Sequence, residues 1–192
     1  MAPSCYPAPN REYLRAGVVE WGVMTETTDT ADSTGFDAFA QAFRRHAAGV
    51  AAITALDASG RPVGFTATSL ASLAAAPPLA TFNLARIASS WPAVEQTDHV
   101  IIHMLGARNK GLAQKLAADH DERFIGDHWA PGPLGLPLLQ NVTAWMLGRI
   151  VARVPVEANA MIAVQILEGA LGEPDEALLY HEREYRTPGD PA

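Results

Sequence analysis

Residues 50–69 read VAAITALDASGRPVGFTATS, in which two runs of small, β-branched and aromatic residues flank a short polar segment. The polar segment, residues 57–60 (DASG), combines Asp, Ser and Gly, which are residue types that favour tight turns. The flanking runs have the length and composition of β-strands. The stretch therefore predicts a hairpin of strand, turn and strand, and it indicates a β-rich chain.

Further strands are predicted on the C-terminal side of this hairpin. They occupy residues 79–85 (LATFNLA), 99–105 (HVIIHML), 143–156 (TAWMLGRIVARVPV), 160–171 (AMIAVQILEGAL) and 177–186 (ALLYHEREYR). At least seven strands, without regular alternation of strands and helices, favour antiparallel pairing. A barrel removes the strand edges that such a sheet would expose, so the predicted fold is mainly β, an antiparallel barrel with a few peripheral helices.

An amphipathic helix is predicted in front of the first hairpin. Residues 36–49 (FDAFAQAFRRHAAG) carry Phe36, Phe39 and Phe43 at helical spacing, and Gly49 is expected to end the helix. On the C-terminal side, residues 109–120 (NKGLAQKLAADH) predict another helix, with Lys110 in its first turn. The proline- and glycine-rich residues 129–139 (WAPGPLGLPLL) predict an ordered loop over the barrel.

A short helix is also predicted over residues 89–97 (SSWPAVEQT). Ser89 or Ser90 is expected to cap its N-terminus, Pro92 is tolerated in its first turn, and Glu95 can complete a capping box.

Composition excludes several classes of protein. The 192-residue chain is 48% hydrophobic and carries a formal net charge of −7, which argues against general binding to nucleic acid or to an anionic membrane. No apolar run approaches the roughly 18 residues needed to cross a bilayer. The single cysteine, Cys5, allows no internal disulfide. A cytoplasmic protein is therefore expected.

The first 35 residues differ in composition from the rest of the chain. They contain Pro3, Pro7 and Pro9 and then a polar run over residues 25–35 (TETTDTADSTG). We interpret residues 1–35 as a tail or an arm that wraps a partner subunit, and residues 36–192 as the barrel domain. Met24 stands just before the polar run and is an alternative start.

Hydroxyl side chains interrupt an otherwise apolar stretch, residues 64–79 (GFTATSLASLAAAPPL). On a strand, Thr66 and Thr68 share one face, and Ser69 and Ser72 follow. Small side chains leave backbone amides open there, and amides together with hydroxyls can bind the edge of a planar heterocycle. The alternative is an ordinary threonine-rich strand of the barrel.

A second polar cluster, residues 85–92 (ARIASSWP), lies at the start of the predicted short helix. Ser89 and Ser90 at a helix N-terminus, with Arg86 nearby, suit a phosphate group, and Lys110 can add charge. The alternative is simple N-capping. Together, the two clusters favour a phosphorylated planar cofactor such as FMN.

Histidines give no convincing metal site. His99 and His103 would face one ion if they stood on a helix, but the residues between them predict a strand. On a strand the two rings would lie roughly 13 Å apart, which is too far for one ion. No metal is therefore predicted.

With these stretches in this order, residues 36–186 resemble the flavin reductase-like family of FMN-binding split barrels. The resemblance runs through FRRHAAGVAAITALDASGRPVGFTATSLASLAAAPPLATFNLARIASSWPAV, HVIIHMLGARNKGLAQKLA, RFIGDHWAPGPLGLPLL and LLYHEREYR. It implies an antiparallel split β-barrel that forms a homodimer with flavin at the subunit interface. The implied activity is that of an NAD(P)H:flavin oxidoreductase, which transfers hydride from the nicotinamide to FMN or FAD and supplies reduced flavin to a partner monooxygenase.

The resemblance also implies roles for individual residues. The segment along the isoalloxazine would consist of Thr66, Ala67, Thr68 and Ser69, with Ser72 nearby. The segment beside the ribityl and phosphate would consist of Ala85, Arg86, Ser89, Ser90 and Trp91, assisted by Lys110. His181, in LLYH, would lie near the flavin and the incoming nicotinamide.

Three departures from the family pattern leave alternatives open. The family commonly has Asn at the positions of Thr68 and His103. Many reductases also carry a histidine beside the nicotinamide, and in this chain the corresponding stretch is residues 156–161 (VEANAM), with Asn159 nearest to the histidine position. A flavin-binding protein without NAD(P)H turnover, acting as an electron carrier or a store, is therefore one alternative. Another is a split barrel that binds another small ligand, such as haem, for which His99, His103 or His181 could supply the axial ligand.

Overall fold

The computed structural model describes residues 33–189, which form three α-helices and twelve β-strands. The helices are α1 (Ser33–Arg45), α2 (Trp91–Gln96) and α3 (Lys110–Ala117). The first six strands are β1 (Ala48–Gly49), β2 (Ala51–Leu56), β3 (Pro62–Ala67), β4 (Ala71–Ala75), β5 (Pro78–Ala85) and β6 (His99–Met104). The last six are β7 (Trp129–Pro131), β8 (Pro137–Leu139), β9 (Ala144–Val156), β10 (Asn159–Leu171), β11 (Leu179–His181) and β12 (Glu184–Arg186).

Seven strands form one antiparallel sheet in the order β3-β2-β6-β9-β10-β5-β4. The predicted hairpin is confirmed as β2 and β3, which pair from Ala51 opposite Ala67 to Leu56 opposite Pro62. Its turn is held by Asp57, whose carboxylate accepts hydrogen bonds from the amides of Ser59 and Arg61. The hydrogen bond that the Ser59 hydroxyl donates to this carboxylate, and after it the one from the Arg61 amide, hold the pKa of Asp57 below its ordinary value.

The sheet curls around a single apolar core. Phe65 on β3 and Phe82 on β5 lie 6.0 Å apart between ring centroids, although four strands lie between β3 and β5 in the sheet. Ile53, Ile102 and Ile162 fill the same core. Within residues 33–189 no ladder joins the edge strands β3 and β4, so the barrel is split. The predicted mainly β, antiparallel class is confirmed.

A second apolar cluster covers the outer face of the barrel. Val50 and Ala52 contribute to it from the β2 side, and Leu116 on α3 and Leu178 before β11 pack with them. The small sheet β1-β11-β12 lies in this layer. The layer brings α3 and the β11–β12 hairpin against the outside of β2 and β3, and this packing creates the site described below.

Several elements differ from the predictions. The loop predicted over residues 129–139 is a ribbon of β7 and β8, in which Pro131 and Pro137 stand opposite each other at the strand ends. The strand predicted over residues 177–186 is two strands, because the chain reverses at Glu182 and Arg183. β4 was not predicted as a separate strand, since its alanines and serine carry little strand signal.

The helices also differ in detail. α1 begins at Ser33, three residues before the predicted start, and ends at Arg45 rather than at Gly49. Ser90 occupies the N-cap position of α2, but its side chain makes no capping bond, so the predicted capping role is wrong. The capping box with Glu95 is likewise not formed.

Some predictions lie outside the described residues. These concern Cys5, Met24 and most of the polar run that follows it. Of the helices in residues 33–189, none is both long enough and apolar enough to cross a membrane.

Candidate functional site

A cavity of about 780 Å³ lies between the outside of β3 and the outer layer, and we call it the main cavity. Its walls come from β3 and the residue that follows it, from α3, and from the β11–β12 hairpin. Its polar and aromatic lining includes Thr66, Thr68, Lys110, Tyr180, Arg183 and Tyr185. The volume is within the roughly 300–1,000 Å³ that is typical of small-molecule sites.

Strand alternation explains why Thr66 and Thr68 face this cavity. Phe65 and Ala67 are buried in the barrel core, so the residues between and after them point outward. Thr66 is half-buried and Thr68 is exposed just after the strand ends. The predicted face of hydroxyl side chains is therefore present on the outward side of β3.

Two tyrosines form the wall contributed by the hairpin. Tyr180 on β11 and Tyr185 on β12 are register partners, with ring centroids 5.3 Å apart in an edge-on arrangement. Burial, and secondarily the charge of Tyr180, raise the pKa of Tyr185 above its ordinary value. The Tyr185 phenol therefore stays neutral at physiological pH and offers a flat apolar body with a hydroxyl donor.

Ser89 and Ser90 lie in a different, smaller cavity of about 230 Å³. There the guanidinium of Arg123 donates to the Ser90 hydroxyl at 3.2 Å and to the Gly64 carbonyl at 2.9 Å. Burial lowers the pKa of Arg123 from its ordinary value, and the group stays charged. Phe124 packs so closely on Gly64 that a Cβ there would lie 2.8 Å from its ring.

The predicted flavin residues are thus divided between locations. Thr66, Thr68 and Lys110 line the main cavity, whereas Ser89 and Ser90 line the smaller cavity that also contains Arg123.

The remaining predicted residues lie elsewhere. Ser72 lines an apolar groove of about 550 Å³ with Met104 and Met146, among others. Ser69 accepts a hydrogen bond from the Asn83 amide at 2.9 Å. Four further positions are also outside the main cavity: Ala67 and Trp91 are buried in the core, Arg86 lies over the Trp91 ring at 6.0 Å, and Ala85 is half-buried at the end of β5.

His181 is outside the lining of the main cavity. Its Nε2 lies 3.1 Å from the carbonyl oxygen of Arg45, the last residue of α1. Its neighbour Tyr180 faces the cavity, so alternation turns the imidazole to the other side of β11. The predicted role of His181 beside the nicotinamide is untested.

His103 is a fully buried imidazole on β6. Its Nδ1 lies 3.3 Å from the Ala52 carbonyl oxygen and its Nε2 accepts the Leu139 amide at 3.0 Å. This arrangement assigns the proton to Nδ1. Burial lowers the pKa of His103 to about 3, against a small opposing effect of the Ala52 carbonyl.

Sequence reasoning missed the residues of the hairpin and of the segment after α3. Tyr180, Tyr185, Arg183, Gln114 and Arg123 were not singled out, although each lines one of the two cavities. A continuous strand would place Tyr180 and Tyr185, five residues apart, on opposite faces. Only the reversal at Glu182 brings both rings to one cavity, and no Gly or Asn marks that turn.

Comparisons with known proteins agree on one family. The family model described as "Flavin reductase like domain" matches residues 43–189. An NADH:FMN oxidoreductase from Rhodococcus qingshengii is 38% identical over 163 residues, which cover 81% of this chain and 84% of the relative. The reductase subunit of stachydrine N-demethylase from Rhizobium meliloti is 36% identical over 108 residues, 56% of this chain and 47% of that protein.

A solved structure extends the comparison to the fold. The crystal structure of a flavin reductase domain protein from Arthrobacter sp. FB24 is 48% identical in sequence and superposes with a TM-score of 0.78. The match covers 82% of this chain and 98% of that one.

Proposed function

Because the chain belongs to the flavin reductase-like domain family, we propose that it binds the isoalloxazine ring of FMN in the main cavity and reduces it with NADH. The activity class predicted from the sequence, an NAD(P)H-dependent flavin reductase, is confirmed. The choice of FMN and NADH is supported by the Rhodococcus relative, which is an NADH:FMN oxidoreductase.

One observation supports the assignment of the ring to this cavity. The cavity joins hydroxyl groups of Thr66 and Thr68 on one side to the aromatic rings of Tyr180 and Tyr185. A planar heterocycle with polar edges needs both kinds of contact, a hydrogen-bonding edge and a flat apolar surface. The donor chemistry and the volume of about 780 Å³ fit such a group.

The protein residues bind and orient the two reactants. A bound flavin would supply the hydride-accepting chemistry and the reduced nicotinamide the hydride, so this chemistry would belong to the cofactors. Thr66 and Thr68 would hold the ring edge, while Tyr180 and Tyr185 would exclude water from one side of the cavity. Alignment of the two rings then provides most of the rate gain that the protein supplies.

Steady-state oxidation of NADH, followed by absorbance with and without added FMN, tests this proposal. We expect oxidation that depends on FMN and saturates with it. FAD in place of FMN, and NADPH in place of NADH, give the preference for each reactant. Bound flavin without NAD(P)H consumption would contradict the proposal and favour a flavin carrier. A Soret band instead of a flavin spectrum would favour the haem alternative.

We further propose a homodimer that supplies reduced flavin to a partner monooxygenase. The stachydrine N-demethylase relative supports a role as one part of a larger enzyme system, since it is the reductase subunit of a demethylase. Exposed apolar surface is available for subunit contact, because Phe39 and Phe43 stack at 4.6 Å on an exposed face of α1. Analytical ultracentrifugation of the full chain is expected to give a mass of twice 20.5 kDa.

A cytoplasmic location remains our prediction.

A further inference from the structure

Two cationic side chains from different elements line the main cavity. Lys110 is the first residue of α3, and Arg183 is at the tip of the β11–β12 hairpin. In residues 33–189, neither cation forms an ion pair with a carboxylate. The cavity therefore presents two uncompensated positive charges although the whole chain carries −7.

The carboxylate of Glu184, which also lines the cavity, does not neutralise them. Its Oε2 binds the guanidinium of Arg186 at 2.8 Å. Of the charged side chains in this lining, Lys110 and Arg183 are thus the two that remain available to a ligand. A ligand with negative charge would gain from both.

Arg183 stands in an unusual hairpin turn. Glu182 and Arg183 are the two central residues of the hairpin turn and both have positive φ, 51° and 66°. This left-handed region is disfavoured for residues other than glycine, and two-residue hairpins with φ positive at both positions usually carry Asn and Gly. The Glu182 amide also donates to the Arg44 carbonyl at 3.1 Å, which ties the turn to the end of α1. Residues held in this conformation concentrate at functional sites.

We propose that Arg183 and Lys110 together form a subsite for a phosphate ester in the main cavity. This inference rests on the proposed function, because it assigns the phosphate of a nucleotide that the reaction uses. Arg183 would supply a planar fork of donors and Lys110 a point charge, a combination suited to phosphate oxygens. Two nucleotides carry the required group, namely FMN through its monophosphate and NADH through its pyrophosphate.

The test compares ligands with and without phosphate on Arg183→Gln in the full chain. Binding of FMN and of riboflavin is measured by calorimetry, and KM is measured for NADH and for the phosphate-free donor 1-benzyl-1,4-dihydronicotinamide. Loss of a charged hydrogen bond is expected to weaken one phosphate-bearing ligand by at least about tenfold and to leave its phosphate-free analogue unchanged. If FMN is weakened and riboflavin is not, the phosphate is that of FMN. If NADH is weakened and the benzyl compound is not, the phosphate is the pyrophosphate of NADH.

Two further variants sharpen the result. Arg183→Lys retains the charge and is expected to recover part of the loss. Arg149→Gln is the matched control, since this exposed arginine on β9 binds Gln165 and lies outside the main cavity. Its affinities should equal those of the wild type.

Two outcomes would overturn the subsite. One is unchanged affinity of Arg183→Gln for both nucleotides. The other is an equal loss for ligands with and without phosphate, which would indicate a role in holding the hairpin. The binding comparison does not require turnover, so a wild-type protein that binds FMN but oxidises no NADH would refute the proposed function and still test the subsite.

Discussion

His103 shows how one side chain joins separate parts of the fold. Its ring donates to the Ala52 carbonyl on β2 and accepts the Leu139 amide on β8, so it fixes the β7–β8 ribbon to the barrel. Both nitrogens are used, which leaves none for a haem iron. Asn, the residue that the family commonly carries here, has one donor and one acceptor but a shorter reach.

Acid should destabilise the protein through His103. Burial lowers its pKa to about 3, below the value of about 6.5 expected in the unfolded chain. The unfolded state therefore binds the proton first, and stability is complete above pH 6.5 and is lost as the pH falls towards 3. Between pH 7.0 and 5.5 the loss should be about 1 kcal/mol.

Urea unfolding at these two pH values tests this prediction. His103→Asn should remove most of the loss, whatever its own stability at pH 7.0. His120→Asn, at an exposed position, should retain the wild-type dependence. An unchanged dependence in His103→Asn would show that other groups cause it.

The sequence alone predicts the side chains whose direction follows from simple strand alternation. Thr66 and Thr68 face the cavity because Phe65 and Ala67 face the core, and this pattern is visible in the letters alone. Arg183 could not be found in that way, because its position depends on a turn that lacks Gly and Asn.

At the scale of elements, the long strands were predictable and the short ones were not. β9 and β10, each of 13 residues, carry a strong β-branched signal, and Gly60 and Asp57 mark the first hairpin. β7 and β8 are three residues each and consist largely of proline, leucine and alanine. Such strands form because they pack against the barrel. Tertiary contacts of this kind cannot be predicted from local sequence.

The pairing of β9 depends on Gly148. A Cβ at this position would lie 2.1 Å from Cγ1 of Val164, which is fully buried on β10. Val is stiff at χ1 and cannot move aside, so Gly148→Ala should cost about 1–3 kcal/mol of unfolding free energy.

Thermal or chemical unfolding measures this cost. Gly111→Ala is the control, because nothing lies within 4 Å of a Cβ there and alanine favours the α3 helix. That variant should be neutral or more stable. Equal effects of the two substitutions would mean that β9 and β10 are not packed as described.

At the largest scale that the structure describes, residues 38–189 combine a barrel core with a thin outer layer. The core is built from both halves of the sheet, whereas the cavity is bounded by β3, α3 and the β11–β12 hairpin, which are far apart in sequence. Ser89 and Ser90 line a different cavity from Lys110, and this separation is a consequence of the assembly. Sequence reasoning reached the fold and the base of the cavity, but not its walls.

The central claim is that flavin binds in the main cavity, and filling that cavity tests it most directly. Thr68 is exposed at the end of β3, so Thr68→Trp adds bulk to the cavity without disturbing the core. Gln140→Trp, exposed between β8 and β9 and outside the cavity, is the matched control. Calorimetric titration with FMN should show Thr68→Trp weakened by at least about tenfold and Gln140→Trp equal to the wild type. Wild-type affinity in Thr68→Trp would contradict the account.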